Sequence, residues 1–224
     1  MASTIVPVDT PLGPGRWFLD LADQPNSILA LGHGAGGGVG SSDLELLARS
    51  LPGRGTSVVR FEQPWRTARR KTGAPPPRLD EAWGAALEWL TSQEWARSPL
   101  LVGGRSAGAR VACRTAAQTH PMAIVCLAFP LHPPGRPEKS RVAELLTPHL
   151  PRLVLQGSKD SFGTADEIRT ATGEAVGVTV VELPDADHGF RIGKSSAMSP
   201  ADLSMMLITR VSRFIAAELG ITTP

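Results

Sequence analysis

The chain has 224 residues, of which 42% are hydrophobic and 20% charged. Such proportions suit a folded domain with a sizeable core and exclude a disordered polyelectrolyte. With 23 Lys+Arg against 21 Asp+Glu, the formal charge of +2 is too small to argue for a nucleic-acid partner. No stretch approaches the ~18 continuous apolar residues of a membrane span. The start, MASTIVPVDTPLG, lacks a charged region followed by a long apolar run, so no secretory signal is expected. Cys113 and Cys126 are the only cysteines and have no zinc-ligand spacing; two buried thiols in a reducing cytoplasm are expected.

In chain order, TIVPVDT and RWFLDL read as an N-terminal hairpin. SILALGHG is a strand ending in glycines. SSDLELLARSL has Leu44, Leu47 and Leu51 at helical spacing, with Ser41 or Ser42 as N-cap. TSVVRFEQP is a strand stopped by Pro64. The segment Gln63–Arg78, with three successive prolines, reads as an irregular loop. Its basic residues Arg66, Arg69, Arg70 and Lys71 read as a solvated surface. A helix over Leu79–Trp95 follows, with Trp83, Leu87 and Leu90 on one face.

PLLVGG is a buried strand, followed by a small-residue helix over Ala107–Ala117. MAIVCLAFPL is a continuous apolar run, the mark of a strand covered on both faces. RVAELL is a short helix and PRLVLQGSKD a strand with a polar exit. TADEIRTATGEA is a helix, and VTVVELPDADHGF a strand with a polar exit. The last helix starts at Ser199-Pro200 and ends near Leu219, before Gly220, with Leu203, Leu207, Val211 and Phe214 on a core-packing face. This alternation implies an α/β fold: a mostly parallel sheet flanked by helices on both faces, in one domain over residues 1–224. The short link between CLAFPL and PRLVLQ leaves room for little or no cap domain.

Ligands of open α/β sheets bind beyond the carboxyl ends of the strands. The residues at those ends include His33-Gly34-Ala35-Gly36, Ser106, His132, Asp160 and His188. Ser106 is the serine of Gly104-Arg105-Ser106-Ala107-Gly108, a G-x-S-x-G turn between strand and helix that exposes a nucleophile. A serine hydroxyl is a poor nucleophile without a base. His188, after the last strand, is the candidate base. Asp160 is the candidate acid that fixes the imidazole tautomer, the competing reading being an Asx turn or a cap for the helix near Thr164. Asp185 and Asp187 are too near His188 in sequence for that part and read as loop-shaping residues. The oxyanion would be held by the N–H groups of Ala35 and Ala107. His33 would brace the glycine loop. A substrate pocket is expected from His33, Gly34, Trp65, Arg105 and His132, with the Pro75–Pro77 loop as a further wall. Neither a phosphate-binding G-x-x-x-x-G-K-[ST] nor a defined metal-ligand set is present, so no metal or cofactor is expected.

The segments LGHGAGG, VGGRSAGARVA, LAFPLHPPGRPEKSR, LVLQGSKDSFG and DADHGF together resemble the α/β-hydrolase superfamily, in its small dienelactone-hydrolase-like branch. More narrowly they are similar to the hydrolase-like family that includes the testis-expressed Tex-thirty-type proteins and a regulatory subunit of a chromatin acetyltransferase complex. The resemblance implies a Ser106–Asp160–His188 triad and a cofactor-free fold. The chain departs from it at Ala107, where methionine is frequent, and at Ser106, where dienelactone hydrolase itself carries cysteine. The expected function is a cytoplasmic serine hydrolase acting on an ester or thioester of a small molecule. The alternative is a non-catalytic interaction module that kept the fold.

Overall fold

The computed structural model describes residues 3–70 and 73–221. Its strands are β1 (Thr4–Val8), β2 (Gly15–Asp20), β3 (Ser27–Gly32), β4 (Thr56–Glu62), β5 (Leu100–Arg105), β6 (Ala123–Leu127), β7 (Arg152–Gly157) and β8 (Val178–Leu183). They form one eight-stranded sheet in the order β1-β2-β4-β3-β5-β6-β7-β8. The N-terminal hairpin is present: β1 and β2 pair antiparallel with Thr4 opposite Leu19, and β2 pairs antiparallel with β4. From β4 to β8 the neighbours run parallel.

The two-residue period of the strands divides the core between the two faces of the sheet. Ile28, Ala30, Val102, Ile124, Cys126 and Val154 enter one core together with Trp83, Leu87, Ala109 and Ala112. Those partners come from α3 (Pro76–Thr91) and α4 (Ala107–Thr119), which pack against each other. Leu29, Leu31, Leu101, Val125, Leu153 and Leu155 enter the other core with Leu44, Leu47, Leu203, Leu207 and Val211. These belong to α1 (Ser42–Ser50) and α7 (Pro200–Glu218). Each fully buried large aliphatic side chain contributes roughly 1.5–3 kcal/mol. The last helix thus uses its apolar face for the core, as its spacing suggested. No helix among the described residues is long and apolar enough to cross a membrane.

Local details differ from the sequence reading, and α3 ends at Thr91 where Trp95 was expected. The Gln63–Arg78 segment is not wholly irregular: it holds α2 (Pro64–Thr67) and the first turn of α3. Pro75 is the N-cap of α3, and Pro76 and Pro77 occupy its first turn, where the missing N–H groups have no intrahelical partner to lose. Ser41 is the N-cap of α1, yet its hydroxyl caps nothing. The helix α6 (Ala165–Thr172) is capped by Thr164 and Glu167 in a reciprocal capping box, so Asp160 is not its cap, although it does accept from the Phe162 N–H in an Asx turn. Lys71 lies outside the described residues, and Arg69 and Arg70 are exposed. Between β6 and β7 the chain forms only a 3-10 turn and the short α5 (Val142–Leu146), so no cap domain covers the sheet edge there.

The strand order reverses at β3: the chain leaves it for β4 on one side and later returns to β5 on the other. Loops diverging from such a point leave a crevice. His33–Ala35 follow β3 and Ser106 follows β5, so both stand at that crevice.

Candidate active site

Three glycines shape the turn that carries Ser106. A Cβ on Gly108 would sit 2.3 Å from the Gly32 carbonyl oxygen, and one on Gly104 would sit 2.5 Å from that oxygen. Only bare backbone lets α4 approach β3 and β5 so closely. The sequence motif covers Gly104 and Gly108; Gly32, their common neighbour, is the last residue of β3, just before the glycine loop. Ser106 itself has φ 52° and ψ −109°. This left-handed conformation costs a non-glycine residue on the order of 1–3 kcal/mol and must be held by its surroundings. One restraint is the Ser106 N–H, which donates to the Leu127 carbonyl at 2.9 Å.

Ser106, His188 and Asp160 come together from three separate strand ends. The Nδ1 of His188 lies 2.8 and 3.0 Å from the two carboxylate oxygens of Asp160, and its Nε2 lies 3.0 Å from Ser106 Oγ. A carboxylate can only accept, so Nδ1 carries the proton and Nε2 accepts from the serine hydroxyl. Asp160 is buried and receives two further donors: the Phe162 N–H at 2.8 Å and Gln156 Nε2 at 2.8 Å. The same Gln156 nitrogen donates to the Gly163 carbonyl at 2.6 Å, which locks the amide in place. Sequence reading missed Gln156; its position at the end of β7, four residues before Asp160, was the available signal.

The imidazole is also fixed from its face and its backbone. The Phe162 ring lies against it, with centroids 4.2 Å apart. Arg105 donates from Nη2 to the His188 carbonyl at 2.5 Å and from Nη1 to Asp43 at 2.6 Å. Asp187 accepts from the N–H groups of Gly189 and Arg191, and Asp185 from Lys159 and Ser196, so both shape the His188 loop. A Cβ on Gly157 would meet the Ala186 carbonyl at 2.2 Å, so glycine is required where this loop crosses the end of β7.

His33 is buried and braces the glycine loop. Its Nδ1 donates to the Gly34 carbonyl at 2.7 Å, and its Nε2 accepts from the Gln63 N–H at 3.2 Å. Burial pushes its pKa below the usual value, which matches a neutral ring in that pair of bonds. No group among the described residues accepts from the N–H of Ala35 or of Ala107. Ala107 opens α4, where the helix dipole favours negative charge.

A cavity of about 210 Å³ adjoins these two N–H groups; it is lined by His33, Gly34, Ala35, Trp65, Ala107 and Arg110 among others. Pro76 joins the wall, as expected of the proline loop. Two expected lining residues do not. Arg105 spends its guanidinium on Asp43 and the His188 carbonyl. His132 is buried beneath the Asp160 loop, with its N–H donating to the Phe162 carbonyl and its Nε2 3.4 Å from Glu167. Arg110, which the sequence reading passed over, stands in the wall instead. The histidines therefore occupy separate positions, and no cluster of three or more metal-ligating side chains occurs among the described residues.

Residues 25–216 match the alpha/beta hydrolase domain family. Solved structures share the fold over nearly their whole lengths. XC6422 from Xanthomonas campestris, described as an a/b serine hydrolase without lid, is 23% identical, with 100% of this chain and 98% of that one covered and a TM-score of 0.76. An alpha-beta serine hydrolase homologue from Coxiella burnetii is 18% identical, covering 94% and 98%, at TM-score 0.73. Dienelactone hydrolase from Anabaena variabilis is 17% identical, covering 96% and 97%, at TM-score 0.72.

Proposed function

The chain belongs to the alpha/beta hydrolase domain family, and from that premise we propose that it is a serine hydrolase cleaving an ester or thioester of a small molecule. The observation that carries the reading is the continuous hydrogen-bonded line from Asp160 through His188 to Ser106 Oγ. In the proposed reaction, Ser106 Oγ attacks the acyl carbon while His188 Nε2 takes its proton. The Ala35 and Ala107 N–H groups receive the developing oxyanion. His188 returns the proton to the leaving alkoxide or thiolate, and the carbonyl re-forms as an acyl-enzyme. Water, deprotonated by His188, then attacks the acyl carbon and frees Ser106. Asp160 stays ionised and holds the imidazolium.

The open sheet edge and the modest cavity support small substrates. The free, buried thiols of Cys113 and Cys126 suit the reducing cytoplasm in which we place the protein. A non-catalytic module would give no reason for a buried carboxylate with three donors aimed through a histidine at a strained serine. The test is turnover of short-chain alkyl esters and thioesters by the wild-type chain and Ser106→Ala. Loss of turnover by several orders of magnitude supports the reading, and near-normal turnover by the variant sinks it.

A further inference from the structure

The cavity beside Ala35 and Ala107 holds unspent polar capacity. Its apolar lining includes Leu79, Trp83 and Val111, and among the described residues its single charged one is Arg110. Arg110 lies one helical turn beyond Ser106, its N–H donating to the Ser106 carbonyl at 3.3 Å. Glu144 accepts from Arg110 Nε at 2.7 Å and from Nη2 at 2.6 Å. This two-pronged grip fixes the guanidinium and leaves Nη1 without a partner among the described residues. Glu144 also accepts from Arg114, which in turn is held by both oxygens of Asp80. Burial opposes the Glu144 charge, but the two arginines outweigh it and hold the carboxyl below its usual range. With Arg141 nearby, three arginines face two carboxylates, so positive charge is in surplus.

The Oε1 of the lining residue Gln63 is buried with no partner among the described residues; the indole Nε1 of Trp83 has none either, but Trp83 is sealed in the core. The Gln63 amide is oriented by its Nε2, which donates to the Leu79 carbonyl at 3.2 Å. Leaving such an atom unmatched costs about 1–3 kcal/mol, which a bound polar group recovers. The adjoining cavity of about 440 Å³ shares Gln63, Trp65, Gly73 and Ala74 with this one, and its charged residues among the described ones are Arg70 and Arg78. Among the described residues neither lining contains a carboxylate.

We propose that the cavity selects a short acyl group ending in a carboxylate. Arg110 Nη1 donates to the carboxylate, and Gln63 Oε1 accepts from a hydroxyl where the chain carries one. The volume of about 210 Å³ favours a short chain over a fatty one. The inference rests on the hydrolase reading and deepens it.

The test compares ethyl pentanoate with monoethyl glutarate, which share a five-carbon acyl chain and differ in the terminal carboxylate. The expected wild-type ratio of kcat/KM is about tenfold or more in favour of the glutarate ester, the size of one hydrogen bond to a charged group. Arg110→Gln collapses the ratio towards one, and Arg110→Lys restores part of it. A measurement on wild type alone covers a variant that fails to fold: free glutarate competes with ethyl pentanoate more tightly than free pentanoate does, and the difference shrinks in salt. Hydrolysis of the pentanoate ester without preference for the glutarate one, and without tighter glutarate inhibition, overturns this inference alone. No hydrolysis of either ester, with Ser106 inert to an organofluorophosphonate, overturns the hydrolase reading and this one with it.

Discussion

Arg105 Nη2 donates to the backbone carbonyl of His188 at 2.5 Å, which ties the loop bearing the candidate base to the residue just before the candidate nucleophile. The serine and histidine are 82 residues apart in the chain, yet one guanidinium spans their supports. Its other arm ends on Asp43, so α1 anchors the assembly. The sequence reading placed Arg105 in the pocket. Only the packed structure shows that its guanidinium is taken up by Asp43 and the His188 backbone.

That pair sets up a stability prediction. The side chains of Arg105 and Asp43 are 12% and 2% exposed, so removing one leaves the other charged and nearly dry. Arg105→Gln is expected to lose about 3–5 kcal/mol of stability and to slow turnover by loosening His188. Asp43→Asn added to it is expected to recover part of the stability. Urea unfolding of the wild type, both single variants and the double variant reads this; equal stabilities of Arg105→Gln and the double variant would refute it.

The second concerns how the acid is held. Asp160→Asn preserves the shape but offers the imidazole the wrong partner, so kcat is expected to fall on the order of 10⁴. Gln156→Met removes one donor to Asp160 and one to the Gly163 carbonyl. It is expected to lower kcat by about tenfold, the worth of one charged hydrogen bond, with a smaller change in KM. Unchanged kcat in Gln156→Met would show that the amide does not position the acid.

The third contrasts two glycines on helices. Gly108→Ala forces a methyl group to within 2.3 Å of the Gly32 oxygen, against backbone that cannot yield cheaply. A loss of about 1–3 kcal/mol or more is expected, together with lost activity. Gly84, inside α3, has open space around the same methyl. Gly84→Ala is expected to gain up to about 1 kcal/mol through helix propensity. Melting temperatures that move in the same direction for both variants would contradict the packing argument.

The fourth is a pH dependence. Burial lowers the pKa of His33 below its ordinary 6.5 in the folded protein. As pH falls through 6.5 the unfolded chain takes up a proton on this ring that the folded chain refuses. The contribution of neutral His33 is therefore complete above pH 6.5 and declines below it, down to the folded pKa. His33→Asn is expected to flatten the decline in stability below pH 6.5. Chemical denaturation at a series of pH values measures the slopes, and identical slopes would rule out His33 as the source.

Much of this architecture was written in local pattern. Apolar runs such as AIVCL cannot face water on either side, and the alternation with amphipathic helices left a parallel sheet as the consistent arrangement. The turns after those strands then had to share one edge, which is why Ser106, Asp160 and His188 could be grouped before any coordinates. What escaped was set by three-dimensional packing. Pro75–Pro77 read as helix breakers, yet their position at the first turn of α3 removes the conflict. Arg110 went unremarked within a small-residue helix, and it stands in the cavity wall with its guanidinium held by Glu144 from α5. His132 looked like a lining residue because prolines surround it, but the Asp160 loop covers it.

The most direct measurement is intact-mass analysis after treatment with an organofluorophosphonate, on the wild type and on Ser106→Ala. The account expects a single adduct on the wild type and none on the variant. A folded wild-type chain that takes up no adduct, or a Ser106→Ala chain that takes it up equally, would contradict the assignment of Ser106 as an activated nucleophile.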